Sequence, residues 1–138
     1  MCQAIYISSK KEIPEIPWND ESPGFYLKKV EHAGILEMLK PIFNSEYVYE
    51  ALSHLGCACG LCYSESFKED DAENFPQRVK DVQDFADYLD THKKDNSLQL
   101  FSTYWEHFPS NYPKRTFQTS EIDQNEFYLE EMTILQVV

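Results

Sequence analysis

The chain has 138 residues, of which 42% are hydrophobic and 14% aromatic, and this length and composition predict one folded domain over residues 1–138. Acidic residues outnumber basic ones by 24 to 12, and the net charge of −12 disfavours nucleic acids and anionic membrane surfaces as partners. We find no apolar stretch near the ~18 residues of a membrane span and no signal-peptide pattern at the N-terminus. With four cysteines and no export signal, the sequence predicts a cytoplasmic protein with reduced thiols.

The predicted strands are rich in β-branched and aromatic residues. They cover residues 3–8, 25–30, 47–52, 98–105, 115–119 and 132–138, with a short returning strand at 61–63. Three prolines in 10–23 predict a loop or covering arm, because proline lacks the N–H that a sheet ladder needs. The last strand carries few polar side chains and is expected inside the sheet, whereas 115–119 is expected at an edge.

Two helices are predicted. Apolar residues recur at spacings of three and four from Phe75 to Leu89, which predicts a long helix over about 75–93 with Phe85 buried. A shorter helix is expected at 32–40, and the acidic segment 64–74 is expected to be a loop because it lacks periodicity. The fold class that follows is α+β, with a mixed or antiparallel sheet and both helices on one face.

One segment of the chain concentrates residues with metal-binding chemistry. His54, Cys57, Cys59 and Cys62 lie within nine residues, and thiolate and imidazole are good ligands for Zn²⁺. The C-x-x-C spacing of the last two cysteines suits two sulfurs on one metal ion. Structural zinc sites usually take their ligands from two separated segments, and no second pair is present in this sequence. These four residues are therefore the candidate ligands of a zinc site.

A purely structural role for the same segment is the competing interpretation. A cysteine outside a disulfide behaves as a small hydrophobic residue and is often buried. Gly56 and Gly60 would allow tight turns or a close approach of the backbone. On these grounds the main prediction is a Cys/His-rich loop over 54–62 that is either structural or metal-binding.

Two other functions remain open from the sequence. The alternative is a non-enzymatic interaction module that uses exposed aromatic residues between Tyr104 and Tyr112, although nothing in the sequence indicates a particular protein partner or a homo-oligomer. The third is a thiol-dependent enzyme with His54 or the remote His107 as base. The acidic residues after Cys62, and the lack of Lys or Arg between residues 47 and 66, predict poorly reactive thiols.

Two segments of the chain carry a family resemblance. They are Met1-Cys2-Gln3-Ala4-Ile5-Tyr6-Ile7-Ser8 with Ile16-Pro17-Trp18, and Ser53-His54-Leu55-Gly56-Cys57-Ala58-Cys59-Gly60. Together they resemble an uncharacterised family of short bacterial proteins with an N-terminal Met-Cys strand and a Ser-His-x-Gly-Cys-x-Cys-Gly segment. No activity is known for that family, so the resemblance implies no function. It implies that the segment beginning at Ser53 is a shared feature of such proteins.

Overall fold

The computed structural model describes residues 3–104 and 111–138. Its strands are β1 (Ala4–Ser9), β2 (Tyr26–Lys29), β3 (Tyr47–Leu52), β4 (Gln99–Thr103), β5 (Lys114–Phe117) and β6 (Ile134–Val137). Its helices are α1 (Ala33–Leu39), α2 (Glu65–Asp70) and α3 (Phe75–Asn96), with 3-10 turns at Ala58–Gly60 and Thr119–Glu121. The strands form one mixed sheet in the order β2-β3-β1-β4-β6-β5, in which only β5 and β6 are parallel. The predicted α+β class is confirmed.

Both faces of the sheet are covered. Successive side chains of a strand point to opposite faces, and in β1 Ile5 and Ile7 join one apolar cluster while Tyr6 joins another. The first cluster contains Phe85 and the other apolar residues of α3, and the second contains Leu39 of α1. This double burial explains why the central strands β1 and β4 are buried over nearly their whole length.

The expectation of both helices on one face is therefore wrong. The periodicity of a helix shows which of its own faces is apolar, but it does not show which face of the sheet will receive it. In α1 the residues Ile35, Leu36 and Leu39 pack with Tyr6, Val48 and other side chains on the face opposite α3. The chain between β2 and β3 thus covers one layer, and the chain between β3 and β4 covers the other.

Two local predictions also need correction. The segment 61–63 does not form a ladder strand, because Tyr63 makes only an isolated antiparallel bridge with Phe127. The segment 64–74, expected as a loop, contains α2. This short helix has no buried residue of its own. The Arg78 guanidinium of α3 lies 4.2 Å from the centroid of the Phe67 ring, and this contact holds α2 against α3. Tertiary contacts of this kind cannot be detected from local periodicity.

The other elements match their predictions closely. β3 covers the expected residues 47–52, β6 lies inside the sheet, and β5 forms its edge. Phe85 is 1% exposed, as expected. The proline-containing arm covers the opposite edge, where Ile16 and Leu27 exchange two backbone hydrogen bonds of 2.9 and 3.0 Å. Among the helices described, none is long and apolar enough to cross a membrane.

Candidate functional site

The Cys loop, residues 53–62, leaves the end of β3 and is organised around a buried serine. Ser53 is fully buried, and its hydroxyl donates to the carbonyl oxygen of Cys57 at 2.6 Å. The Ser53 hydroxyl oxygen in turn accepts the backbone N–H groups of Leu55 and Gly60, at 3.2 and 3.1 Å. A Cβ atom on Gly60 would lie 2.3 Å from the Ser53 hydroxyl, so the loop can close only over a glycine at this position.

His54 is fixed by a buried carboxylate of α3. Asp81 is fully buried, and its Oδ2 atom lies 2.7 Å from Nδ1 of His54 while accepting the His54 backbone N–H at 2.8 Å. Its Oδ1 atom accepts the side-chain amide of Gln77 at 2.7 Å. The His54 side chain is 8% exposed, and its Nε2 atom is buried with no hydrogen-bond partner in the described structure. Asp81 thus sets the orientation of the imidazole, as a carboxylate does in catalytic dyads.

Arg78 holds the other half of the loop. It is 7% exposed, and its Nη1 donates to the carbonyl oxygens of Cys59 and Cys62 at 2.9 and 3.2 Å. Its Nε donates to the carboxylate of Asp71 at 3.1 Å. Hydrogen bonds to Asn74 and Arg78 hold the pKa of Asp71 below its usual range. The guanidinium is therefore ion-paired, hydrogen-bonded and stacked on the Phe67 ring, which is how a buried arginine is tolerated.

The three thiols of the loop differ in burial, since Cys57 and Cys59 are half-buried and Cys62 is buried. Cys62 is buried, and its thiol folds back to donate to the carbonyl oxygen of Cys59 at 3.3 Å. Burial and then Glu131, Cys62 and Cys59 raise the pKa of Tyr104. Burial, Glu50 and Cys57 raise the pKa of Tyr26, whose hydroxyl lies 3.4 Å from the carbonyl oxygen of Gly56.

The electrostatics of Cys62 result from two opposed effects. Burial raises the pKa of its thiol, and the charge of Arg78, whose Nη1 lies 3.8 Å from the sulfur, lowers it. Burial is the larger effect, so the thiol is protonated near neutral pH. The sequence predicted this direction, but it did not predict the cation, because Arg78 comes from a helix beyond the loop. The low alkylation rate expected for the thiols stays a prediction.

The four candidate zinc ligands are not brought to one point by the contacts above. Nδ1 of His54 is bound to Asp81, and the Cys62 thiol is bound to the Cys59 carbonyl oxygen. Among residues 3–104 and 111–138, no group of three or more His, Cys, Asp or Glu side chains is arranged to hold a metal ion. Cys59 and Cys62 together offer two sulfur ligands. Zinc binding stays a prediction.

The other proposed functional groups are placed as follows. His107 and most of the aromatic segment between Tyr104 and Tyr112 lie outside the described residues. Tyr112 itself is half-buried, with its ring 4.7 Å from that of Phe101. It packs against the α1-side core rather than standing free in solvent.

Sequence reasoning missed Arg78 and Asp81, although a signal was present. Both residues occupy positions on the apolar face of α3, since Arg78 lies four residues before the buried Val82 and Asp81 lies four residues before the buried Phe85. A charged residue inside an apolar stripe is buried only when it has a partner. The stripe therefore contained evidence that α3 packs against a polar segment as well as against the sheet.

No protein-family model, curated protein or solved structure shows a significant match to this chain. The family resemblance of its two segments thus stays a prediction, and function must be argued from the site.

Proposed function

We propose that the protein is a dithiol protein in which Cys59 and Cys62 undergo thiol–disulfide exchange with a disulfide substrate. The observation that carries the proposal is Arg78, a buried cation whose Nη1 lies 3.8 Å from the Cys62 sulfur. A positive charge at this distance stabilises a thiolate as it forms. It also opposes a second cation at the same sulfur, so it favours thiol chemistry over metal binding.

The different burial of the two thiols supports different roles. Cys59 is half-buried and Cys62 is buried, so a substrate would reach Cys59 first. The side chain of Cys62 is already turned toward residue 59 by its hydrogen bond to the Cys59 carbonyl oxygen. Arg78 binds both carbonyl oxygens and fixes the turn between the two cysteines. These contacts hold the two cysteines in one short turn, which supports ring closure between their sulfurs.

The proposed reaction is balanced as a two-electron exchange. The Cys59 thiolate attacks one sulfur of a disulfide RS–SR, forming a mixed disulfide and releasing RS⁻, which takes up the proton lost by Cys59. The Cys62 thiolate then attacks the Cys59 sulfur, the second RS⁻ leaves, and it takes up the proton lost by Cys62. The dithiol is oxidised to a disulfide and RS–SR is reduced to two thiols. Arg78 stabilises the Cys62 thiolate in the second step.

A zinc site is the second candidate, and it is favoured by the C-x-x-C spacing. In that case protein purified without chelator should carry close to one zinc per chain, and Cys59→Ser should release it. The same protein would resist oxidation until the metal is removed. Such a result would reject the exchange reaction as the function of this pair.

The test of the exchange reaction is a titration in glutathione buffers of varied redox ratio. Thiols are trapped with a maleimide mass tag and located by peptide mass spectrometry. We expect a reversible disulfide between Cys59 and Cys62 with one midpoint. Cys57→Ser, which removes the third thiol of the same loop, should leave that midpoint unchanged. Absence of this disulfide across the whole range, or equal trapping of Cys57 in disulfides, would overturn the proposal.

Arg78 is tested by the lifetime of the mixed disulfide between Cys59 and glutathione. Arg78→Met should make this species accumulate several-fold because the Cys62 thiolate loses its neighbouring charge. Arg78→Lys keeps a cation and should restore much of the rate. Circular dichroism and thermal unfolding identify a folding defect, and a merely structural Arg78 would leave the mixed-disulfide lifetime of the folded variants unaltered.

A further inference from the structure

A second region of the surface exposes aromatic and apolar side chains. Trp18 is 40% exposed and Leu55, near the tip of the Cys loop, is 44% exposed. Tyr26 connects them, since its ring lies 5.1 Å from that of Trp18 and its hydroxyl lies 3.4 Å from the carbonyl oxygen of Gly56. We call Trp18, Tyr26 and Leu55 the aromatic strip. Exposed apolar groups that adjoin one another are typical of interaction surfaces.

The strip is held in a fixed conformation. The two backbone hydrogen bonds between Ile16 and Leu27 fasten the arm to β2 two residues before Trp18. The indole N–H of Trp18 donates to the Asp20 carboxylate at 2.5 Å. The ring of Trp18 therefore does not need to be ordered when a partner binds, which lowers the entropic cost of association.

A groove of about 620 Å³ adjoins Trp18, between the arm and α3. Its charged lining residues are Asp20, Glu21, Asp84 and Lys80. Lys80 is paired with Asp84 at 2.7 Å, so these two charges offset each other. In the described part of the chain Asp20 and Glu21 have no ion-pair partner, and they give the groove a net negative charge next to an exposed indole.

We propose that the aromatic strip and this groove form a docking surface for a basic segment of a partner protein, in which Lys or Arg side chains alternate with apolar ones. The indole is the aromatic ring that best attracts a cation to its face. Asp20 and Glu21 complement the charge of the same segment, and the net charge of −12 steers it toward this protein. Leu55 and Tyr26 receive the apolar side chains. The surface is independent of the dithiol chemistry.

The probe is an acetylated peptide in which lysine and leucine residues alternate and are separated by glycine. The control is the same peptide with glutamate in place of lysine. Binding is measured by calorimetry and mapped by amide chemical-shift changes. We expect the lysine peptide alone to bind, with shifts confined to residues 16–26, 55–56 and 80–84. Affinity should fall as salt is raised, because exposed charges are screened. Shifts elsewhere, or equal binding of the glutamate peptide, would overturn the proposal.

Two pairs of variants separate this surface from general acidity. Trp18→Ala should weaken binding about tenfold, whereas Tyr128→Ala, which truncates another exposed aromatic ring, should leave it unchanged. Asp20→Asn with Glu21→Gln should weaken binding and flatten its salt dependence. Glu69→Gln with Asp70→Asn removes the same charge from exposed positions of α2 and should have little effect. Equal losses within either pair would show that the peptide responds only to net charge or to any exposed ring.

Discussion

Two sets of α3 residues contact the rest of the molecule through different kinds of interaction. The apolar set, Val82, Phe85 and Leu89, packs in the apolar core, where contact is non-directional and follows from the helical period. The polar set, Arg78 and Asp81, binds the Cys loop, where each contact depends on a particular oxygen or nitrogen in a particular place. The first interface stabilises the fold, and the second fixes the geometry of the candidate site.

A substitution in the apolar set of α3 should show the largest single effect on stability. Phe85 is 1% exposed, and Phe85→Ala is expected to lower the free energy of unfolding by about 3–5 kcal/mol, because the core cannot close over the lost ring. Asp84→Ala on the same helix removes only the exposed pair with Lys80 and should cost less than about 0.5 kcal/mol. Chemical denaturation measures both. If the two variants proved equally mild, the assignment of the buried face would fail.

The stability of the protein should be nearly as sensitive to substitution in the polar set of α3. Asp81→Ala leaves the buried His54 N–H groups and the Gln77 amide without their acceptor and is expected to cost about 3 kcal/mol. Asp81→Asn keeps an oxygen in the same place and should cost clearly less. The matched control is Asp87→Ala, at an exposed position of α3, with an expected change below about 0.5 kcal/mol. If Asp81→Ala lowered the free energy of unfolding no more than the control, the contacts of Asp81 would not be stabilising the fold.

Substitutions at the two glycines of the Cys loop separate the cost of steric crowding from the cost of an unfavourable backbone conformation. Gly60→Ala places a methyl group against the buried Ser53 side chain and is expected to cost about 2 kcal/mol. Gly56 has a φ of +80° and open space where its Cβ would lie, so Gly56→Ala should cost only about 1 kcal/mol of conformational strain. Thermal unfolding measures which of the two variants is less stable. If Gly56→Ala were the less stable, the loop around Ser53 would be able to shift and accommodate the added methyl group.

The smallest expected effect is the pH dependence contributed by Cys62. Burial raises its pKa in the folded state. An acid with a raised pKa contributes full stability below the unfolded pKa, about 8.5 for a thiol, and loses it as the pH rises toward the folded pKa. Between pH 8 and about 9.5, where tyrosines are still protonated, the wild type should therefore lose up to about 1 kcal/mol more than Cys62→Ala. Parallel denaturation midpoints for the two proteins across this range would contradict it.

Much of the fold could be predicted from local patterns. β3 and α3 are set by residues that neighbour one another along the chain, and their boundaries are close to those expected. α2 could not be predicted in this way, because it depends on the Arg78 guanidinium over the Phe67 ring. The side of the sheet that α1 covers was also beyond local patterns, since an apolar helix face fits either layer.

For the candidate site, the sequence by itself determined which reactive groups are present and where they are concentrated: one imidazole and three thiols within residues 54–62. Tertiary structure alone decided their partners. It paired His54 with Asp81 and placed Arg78 beside Cys62. The reason is physical. The chemical identity of a side chain is local, but its ionisation, orientation and reach depend on charges and hydrogen bonds supplied by α3, a helix whose contacting residues lie 16–27 positions further along the chain.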